Sequence, residues 1–133
     1  MELQVGVKVL LKNKEGKYLF LHRSAKKYPE VNRLWDFPGG RIDPGAPLRD
    51  NLARELKEET GLALTSEPKL IGAQDILKND RHVVRLTYVG QASGETPTLS
   101  EEHDGFEWFT LDEIRNRPDF DKYLRELLAT AVL

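Results

Sequence analysis

The chain has 133 residues, of which 39% are hydrophobic and 32% charged, and its formal net charge is −2. This length allows a buried core, and we expect a single domain over residues 1–133. The absence of cysteine excludes disulfides, thiolate metal sites and cysteine nucleophiles. Residues 1–4 carry no cationic cluster and no apolar run is long enough to span a bilayer, so we expect a cytoplasmic protein without membrane contact.

The charges are distributed unevenly along the chain. Residues 1–33 contain eight Lys or Arg against three Asp or Glu, and the remainder contains twelve against nineteen. A solvated basic hairpin explains this distribution, and so does a surface that meets an anionic substrate. The cations are too scattered to indicate a dedicated nucleic-acid surface.

The first third of the chain predicts a hairpin of two strands. Val5–Leu11 is rich in β-branched residues and partly alternating, and Tyr18–His22 follows the turn signal Asn13–Gly16. Residues 24–33 are polar and contain proline, which predicts a loop. Leu34–Pro38 predicts a short strand that leads into a pair of glycines.

The glycine pair at 39–40 predicts a tight turn, and the helix that follows is expected to end at Gly61, since glycine adopts the left-handed backbone that ends many helices. Near this end lie Glu55, Glu58 and Glu59. At about 100° per residue their three carboxylates are able to point at one spot. Carboxylates here oppose the helix dipole, which indicates either a solvated face or a divalent cation held by oxygen ligands. The adjoining stripe expected to face the core is Leu48, Leu52, Ala53 and Leu56.

The second half of the chain predicts three further strands and two helices. The strands are expected at Leu70–Leu77, Arg81–Ala92 and Phe106–Phe109, with a polar loop at Ser93–Gly105. A capping box at Thr110–Glu113 opens a short helix. An amphipathic helix from Phe120 to about Ala131 follows, with its expected inward face formed by Tyr123, Leu124, Leu127 and Leu128.

Residues 40–62 form a pattern longer than the three glutamates. Gly40 precedes, at fixed spacing, the run Arg54-Glu55-Leu56-x-Glu58-Glu59-x-Gly61-Leu62. This pattern resembles the Nudix box of the Nudix (MutT-like) hydrolases: a glycine, five residues, a glutamate, seven residues, then Arg-Glu-apolar-x-Glu-Glu-x-Gly-apolar. One fixed position departs from it, because Ala46 stands where the family has its first glutamate.

The resemblance implies an α/β fold, the Nudix fold, which is an α/β/α sandwich with a central mixed sheet. It implies metal-dependent hydrolysis of a phosphoanhydride bond in a nucleoside diphosphate linked to another group, above all a nucleoside triphosphate. ADP-ribose, a nucleotide sugar and a dinucleoside polyphosphate are alternative substrates, and Ala46 motivates a further alternative, a non-catalytic domain that binds a nucleotide. The expected partner is thus a small-molecule nucleotide, and the chain is expected to be a monomer or a homodimer.

The same resemblance assigns the metal ligands. Glu55, Glu58 and Glu59 are expected to bind Mg²⁺ or Mn²⁺, with the main-chain carbonyl of Gly39 completing the site. A solvated helix face is the alternative interpretation of the glutamates taken alone.

Structural roles in the box are expected for Gly40, Arg54 and Gly61. The family's arginine forms an ion pair within the box, and with alanine at position 46 the expected partner of Arg54 is Asp43 or Asp50. A looser turn is the alternative.

The catalytic base of MutT-like members comes from a loop before a late tryptophan strand. Here the matching position is Glu102, its neighbour Glu101 is the alternative, and Glu59 is the fallback. An ordinary acidic loop is the competing interpretation of the pair. A carboxylate near the attacking water suffices for this role.

Arg23, Arg41 and Arg81 are the expected substrate contacts. Arg23 and Arg41 align with basic residues that meet phosphate in MutT-like enzymes, and the similarity extends through Arg81. A surface position is the alternative for each. The histidines show no ligand spacing: His82 is a candidate for the cleft wall, and no site role is expected for His22 or His103.

Overall fold

A computed structural model describes residues 1–27, 35–131 and 133. The strands are β1 (Glu2–Lys12), β2 (Tyr18–Arg23), β3 (Trp35–Asp36), β4 (Gly39–Arg41), β5 (Lys69–Lys78), β6 (Arg81–Gln91) and β7 (His103–Phe109). The helices are α1 (Leu48–Thr60), α2 (Leu111–Asn116) and α3 (Lys122–Leu128). Among the described residues, no helix combines the length and apolar character that crossing a bilayer requires.

The strands form one mixed sheet with β1 at its centre. Along the path β3-β2-β1-β6-β5, β1 pairs in parallel with β6, from Glu2 opposite Arg81 to Lys12 opposite Gln91. The remaining pairings are antiparallel and include β4 on β1 and β7 on β2. The predicted mixed sheet is confirmed.

Alternation along the central strand divides the core into two layers, because successive side chains of a strand point to opposite faces. Val7 and Leu11 are fully buried against Leu52 and Leu56 of α1. Leu10 belongs to the opposite cluster, which α2 and α3 cover. The aromatic members of that cluster are Tyr18, Phe20, Phe37, Phe109 and Phe120. Helices therefore cover both faces of the sheet, as the predicted α/β/α sandwich requires.

The prediction of a tight turn at the glycine pair is wrong. Gly39–Arg41 is strand β4, which pairs with Gly6–Lys8 of β1, and the chain turns later, at residues 44–45. Gly39 has a φ of 143°, and a Cβ at this position would lie 2.0 Å from the carbonyl oxygen of Val7. The main chain of β4 lies this close to β1 only because residue 39 has no side chain.

The predicted loop Ser93–Gly105 ends too late. Residues 103–105 belong to β7 and pair with β2, where the register shifts between His22 and Arg23. The polar residues at the start of β7 do not predict a strand, because the strand forms there by pairing with β2, which lies far away in the chain.

Two other elements are shorter than predicted. The strand predicted for Leu34–Pro38 is described as β3 alone, and Leu34 and part of the predicted loop 24–33 lie outside the described residues. The last helix begins after Asp121, whose carboxylate accepts the main-chain N–H groups of Tyr123 and Leu124 at 2.6 and 3.2 Å. Tyr123 is half-buried rather than in the core.

The helix ends follow local rules. The capping box at Thr110 and Glu113 is present, and α1 ends at Gly61 with a φ of 71°, so both predictions are confirmed. The prediction of the core-facing stripe of α1 is wrong for Ala53, which is exposed. Asn51 and Thr60 are buried on that helix instead, and the Thr60 hydroxyl donates to the carbonyl oxygen of Leu56 at 2.6 Å.

Candidate active site

A cleft of about 340 Å³ lies where the sheet meets α1 and α3, and every strand contributes to its walls. Charged side chains dominate the lining. The cations are Lys8, Arg23, Arg41, Lys78, Arg81 and Arg85. The anions are Asp36, Glu59, Glu102 and Asp121.

Glu59 lies in the last turn of α1 and is only 8% exposed. Its Oε1 accepts the main-chain N–H of Gly39 at 2.8 Å, so β4 and α1 meet at this carboxylate. Burial raises the pKa of Glu59 to about 7, and the Lys8 ammonium and the Gly39 N–H offset only part of that effect. A cation beside this carboxylate would favour its ionised form.

Glu59 also belongs to a group of possible metal ligands. One ligand atom each from Glu59, Glu102 and His103 lies within 4.8 Å of the other two. His103 is 7% exposed, and its Nδ1 is buried without a hydrogen-bond partner among the described residues. Burial lowers the pKa of His103, which favours the neutral imidazole.

The two acidic residues of the loop before β7 differ in exposure. Both Glu101 and Glu102 lie 3.7 Å from the Lys27 ammonium. The side chain of Glu101 is 89% exposed, whereas that of Glu102 is 44% exposed and lines the cleft. The structure thus places Glu102, and not Glu101, in the cleft wall.

Glu55 and Glu58 contact Arg54 rather than the cleft. The guanidinium of Arg54 lies 3.2 Å from the Glu55 carboxylate and 3.0 Å from that of Glu58. The side chain of Glu58 is 57% exposed. The carboxylate of Glu55 packs over Gly40, where a Cβ would lie 2.9 Å from it. Of the three glutamates on α1, Glu59 is the one that lines the cleft.

Asp36 joins two cations of the cleft. One of its oxygens accepts from Lys8 Nζ at 3.0 Å, and the other accepts from Arg23 Nη2 at 3.1 Å. Burial acts to raise the pKa of Asp36, but the charges of Lys8 and Arg23 outweigh it and hold the pKa at about 2. Lys8 also donates to the carbonyl oxygen of Phe37 at 2.9 Å. The cations are thereby held in fixed positions along one wall.

The other predicted substrate contacts also line the cleft. Arg41 extends from β4 and donates through Nη1 to the side-chain oxygen of Gln4. Arg81 stands at the start of β6. With Arg23 on β2, three strands each present a guanidinium to the same space. His82, by contrast, pairs through Nε2 with the exposed Asp75 at 2.6 Å.

Arg85 of β6 also lines the cleft and is 6% exposed. Its Nη1 donates to Asp121 at 2.7 Å, while Nε and Nη2 are buried without a hydrogen-bond partner among the described residues. The guanidinium lies 5.3 Å from the centre of the Phe37 ring and 5.9 Å from that of Tyr123. These two aromatic rings compensate part of the cost of burying this charge.

The NUDIX domain profile matches residues 2–131. The chain belongs to the Nudix family. An RNA pyrophosphohydrolase of Bartonella bacilliformis is 43% identical, over 82% of this chain and 78% of that protein. An uncharacterized Nudix hydrolase of Bacillus subtilis is 33% identical over 63% of this chain, which spans 56% of the length of that relative. The crystal structure of a MutT protein from Methanosarcina mazei has a TM-score of 0.82 and 26% identity, covering 96% of this chain and 91% of that one. At the level of the family, the predicted resemblance and the classification as a Nudix hydrolase are confirmed.

The arginine of the Nudix box has its partners elsewhere than at position 46. With Ala46 in place of the family's glutamate, Arg54 pairs with Asp43 at 3.0 Å, one of the two predicted partners. Arg54 also contacts Asn51 at 3.1 Å, and the Asn51 side chain in turn bonds to the main chain of Arg41 and Asp43. A network through Asn51 therefore joins the box arginine to the end of β4.

The sequence-based set of site residues lacks several residues of this Nudix cleft, among them Lys8, Asp36, Arg85 and His103. For Lys8 and Arg85 the sequence holds a signal, since each interrupts an apolar strand and a charge in such a position needs a partner. Asp36 stands likewise between two aromatic residues. For His103 the neighbouring residues give no such signal, because its burial depends on the pairing of β7 with β2.

Proposed function

We propose that this Nudix domain is a metal-dependent pyrophosphohydrolase that cleaves a phosphoanhydride bond of a nucleoside triphosphate. The observation that carries the proposal is one cleft that combines the buried Glu59 and the adjacent Glu102 with guanidinium groups on three strands. Carboxylates suit a divalent cation and an attacking water. Guanidinium groups match the oxygens of phosphate.

The residues present fit a hard divalent cation, because Glu59 is buried and its neighbours offer further ligand atoms within 4.8 Å. Glu59 is the central proposed ligand for Mg²⁺ or Mn²⁺, and Glu55, Glu58 and the Gly39 carbonyl complete the proposed set. Recruiting Glu55 and Glu58 requires that they leave Arg54. The bound ion would neutralise phosphate charge and lower the pKa of a water.

The chain's own residues supply the remaining parts of the reaction. In the proposed role, Glu102 accepts a proton from the attacking water as the water oxygen bonds to phosphorus and the bridging P–O bond breaks. Arg23, Arg41 and Arg81 bind the phosphate oxygens and hold the chain of phosphates in line. Glu101 is the less suitable base because its side chain is turned to solvent, and Glu59 remains the fallback.

The test is a panel of nucleotides with Mg²⁺ or Mn²⁺ in which phosphate and pyrophosphate release are measured. The panel contains nucleoside triphosphates, ADP-ribose, a nucleotide sugar and a dinucleoside polyphosphate. We expect kcat/KM to be highest for a triphosphate, and a chelator to abolish turnover. Glu59→Gln should lower kcat/KM by about 100-fold or more, since loss of even an indirect partner of a metal ligand costs about 10- to 100-fold. Glu126→Gln, an exposed position on α3 outside the cleft, should match the wild type.

Two results would contradict the proposal. A wild-type protein that binds nucleotides but releases no product with either ion would be a binding domain, the alternative that Ala46 motivates. Turnover that is equal in wild type and Glu59→Gln would place the reaction elsewhere.

A second candidate substrate comes from the Bartonella relative, whose name is RNA pyrophosphohydrolase. The corresponding substrate is an RNA that carries a 5′-triphosphate, which offers the same phosphoanhydride bond. A short triphosphorylated RNA therefore belongs in the panel. A higher kcat/KM for this RNA than for any free triphosphate would favour it as the substrate.

A further inference from the structure

His103 is a buried imidazole that the proposed reaction does not use. It stands at the first position of β7, and its Nδ1 has no hydrogen-bond partner among the described residues. A buried polar atom without a partner loses the hydrogen bond that water would give it, and such atoms are uncommon enough to require an explanation. The imidazole of His103 is therefore a candidate to bind a ligand from the cleft that it lines.

The surroundings of His103 are those of a metal site. Glu59 comes from the end of α1 and Glu102 from the loop before β7, and each presents a carboxylate oxygen within 4.8 Å of an imidazole nitrogen. Ligand atoms around one small cation lie roughly 3 to 4 Å apart, since each is near 2.1 Å from the ion. A small inward movement would bring Glu59 and His103 to one ion, with Glu102 beside it.

We propose that His103 is a nitrogen ligand of the divalent ion in this cleft, beside the carboxylate of Glu59 and within reach of Glu102. This inference rests on the proposed function, in so far as that function requires an ion here. Its consequence is selectivity. Imidazole suits first-row transition ions such as Co²⁺ and Zn²⁺, whereas Mg²⁺ prefers oxygen, so the site binds Co²⁺ more tightly than Mg²⁺.

The experiment measures binding of Co²⁺ and Mg²⁺ to the metal-free full chain by calorimetry, with the visible absorption of Co²⁺ as a second readout. For the wild type we expect a Kd for Co²⁺ at least tenfold below that for Mg²⁺. His103→Gln should raise the Kd for Co²⁺ at least tenfold and shift the Co²⁺ spectrum. The Kd for Mg²⁺ should change less than threefold. His82→Gln, whose imidazole pairs with the exposed Asp75, is the matched control and should leave both constants unchanged.

A measurement on the wild type covers the case in which His103→Gln does not fold. Pulsed electron paramagnetic resonance of bound Mn²⁺ detects a directly bonded nitrogen, and we expect the ¹⁴N modulation to be present. Its absence would overturn the inference, as would equal Co²⁺ affinity in His103→Gln and wild type.

The two proposals fail differently. If Glu59→Gln loses both ions and His103→Gln loses neither, the nitrogen ligand is wrong while the proposed function stands. If the wild type binds none of these ions, both proposals are overturned.

Discussion

Asp36 holds two cations of the cleft through one carboxylate, and its own charge depends on them. The pKa of Asp36 is about 2 in the folded chain, against an ordinary value of 3.8. A lowered pKa means that the ionised form stabilises the fold at pH above 3.8. This stabilisation is lost as the pH falls toward 2.

Asp36→Asn is therefore expected to lower the free energy of unfolding by about 2 kcal/mol at pH 7, since one pKa unit corresponds to about 1.4 kcal/mol. The difference from wild type should shrink between pH 4 and pH 2. Urea denaturation at pH 7, 4 and 3 measures it. Asp80→Asn, at an exposed turn, serves as the control, and a difference for Asp36→Asn that does not vary with pH would show that the carboxylate charge is not its source.

The neighbours Glu101 and Glu102 allow a matched comparison of the proposed base with a surface residue. Glu102→Gln should lower kcat by a factor of about 100 to 1000, within the range for loss of a positioned base. Glu101→Gln should change kcat less than threefold, because its side chain is 89% exposed. Steady-state kinetics on the best nucleotide measures both. The reverse order of effects would assign the base to Glu101.

For single residues, the sequence indicates which side chains are candidates for the site. It does not show in which direction those side chains point. The spacing of Glu55, Glu58 and Glu59 is visible in the chain, but the interaction of the first two with Arg54 is not. Their direction depends on Asp43 and Asn51, which arrange Arg54 after the chain has folded.

Strand β4 is the element that brings main chain to the end of α1, and its two glycines act by different means. At Gly39 a Cβ would meet the main chain of β1, at 2.0 Å from the carbonyl oxygen of Val7 and 2.7 Å from the Cα of Lys8. At Gly40 it would meet the Glu55 carboxylate at 2.9 Å. Main chain within a sheet cannot give way, whereas the end of a glutamate side chain can.

We expect Gly39→Ala to destabilise the fold by about 4 kcal/mol or more, at the extreme of single substitutions. Gly40→Ala should cost about 1 kcal/mol, because Glu55 can move aside. Chemical denaturation of the two variants measures the difference. Equal losses of stability would mean that β4 lifts away from β1 easily, contrary to the packing described above.

Elements are predictable where the signal is local. The capping box of α2 and the glycine at the end of α1 involve residues within one helical turn, and both predictions hold. Strand β4 and the first residues of β7 exist because of partners on β1 and β2. No local pattern of glycine or of polar residues shows such partners.

For the whole molecule, Asp121 connects the sheet to the helical layer. One carboxylate oxygen accepts hydrogen bonds from two main-chain N–H groups at the start of α3. The other accepts a hydrogen bond from Nη1 of Arg85 on β6, at 2.7 Å. After the opposing effect of burial, the hydrogen bond and charge of Arg85 hold the pKa of Asp121 below its ordinary value. The helix cap and the buried ion pair thus share one side chain.

Two substitutions separate these contributions. Asp121→Asn retains an oxygen for the cap but removes the charge, so we expect a loss of about 2 kcal/mol, the order of a hydrogen bond between charged groups. Asp121→Ala removes both, and we expect a loss of about 4 kcal/mol, as for a broken buried pair together with a lost cap. Thermal and urea unfolding measure both variants. Equal losses would show that the cap contributes nothing.

The parallel pairing of β1 with β6 has a consequence for synthesis of the chain on the ribosome. Residues 2–12 need residues 81–91 as neighbours. At about 5–20 residues per second, the earlier segment waits roughly 4 to 16 s for the later one to be translated. During that interval an apolar strand with unpaired main-chain groups is available to nascent chains nearby or to chaperones.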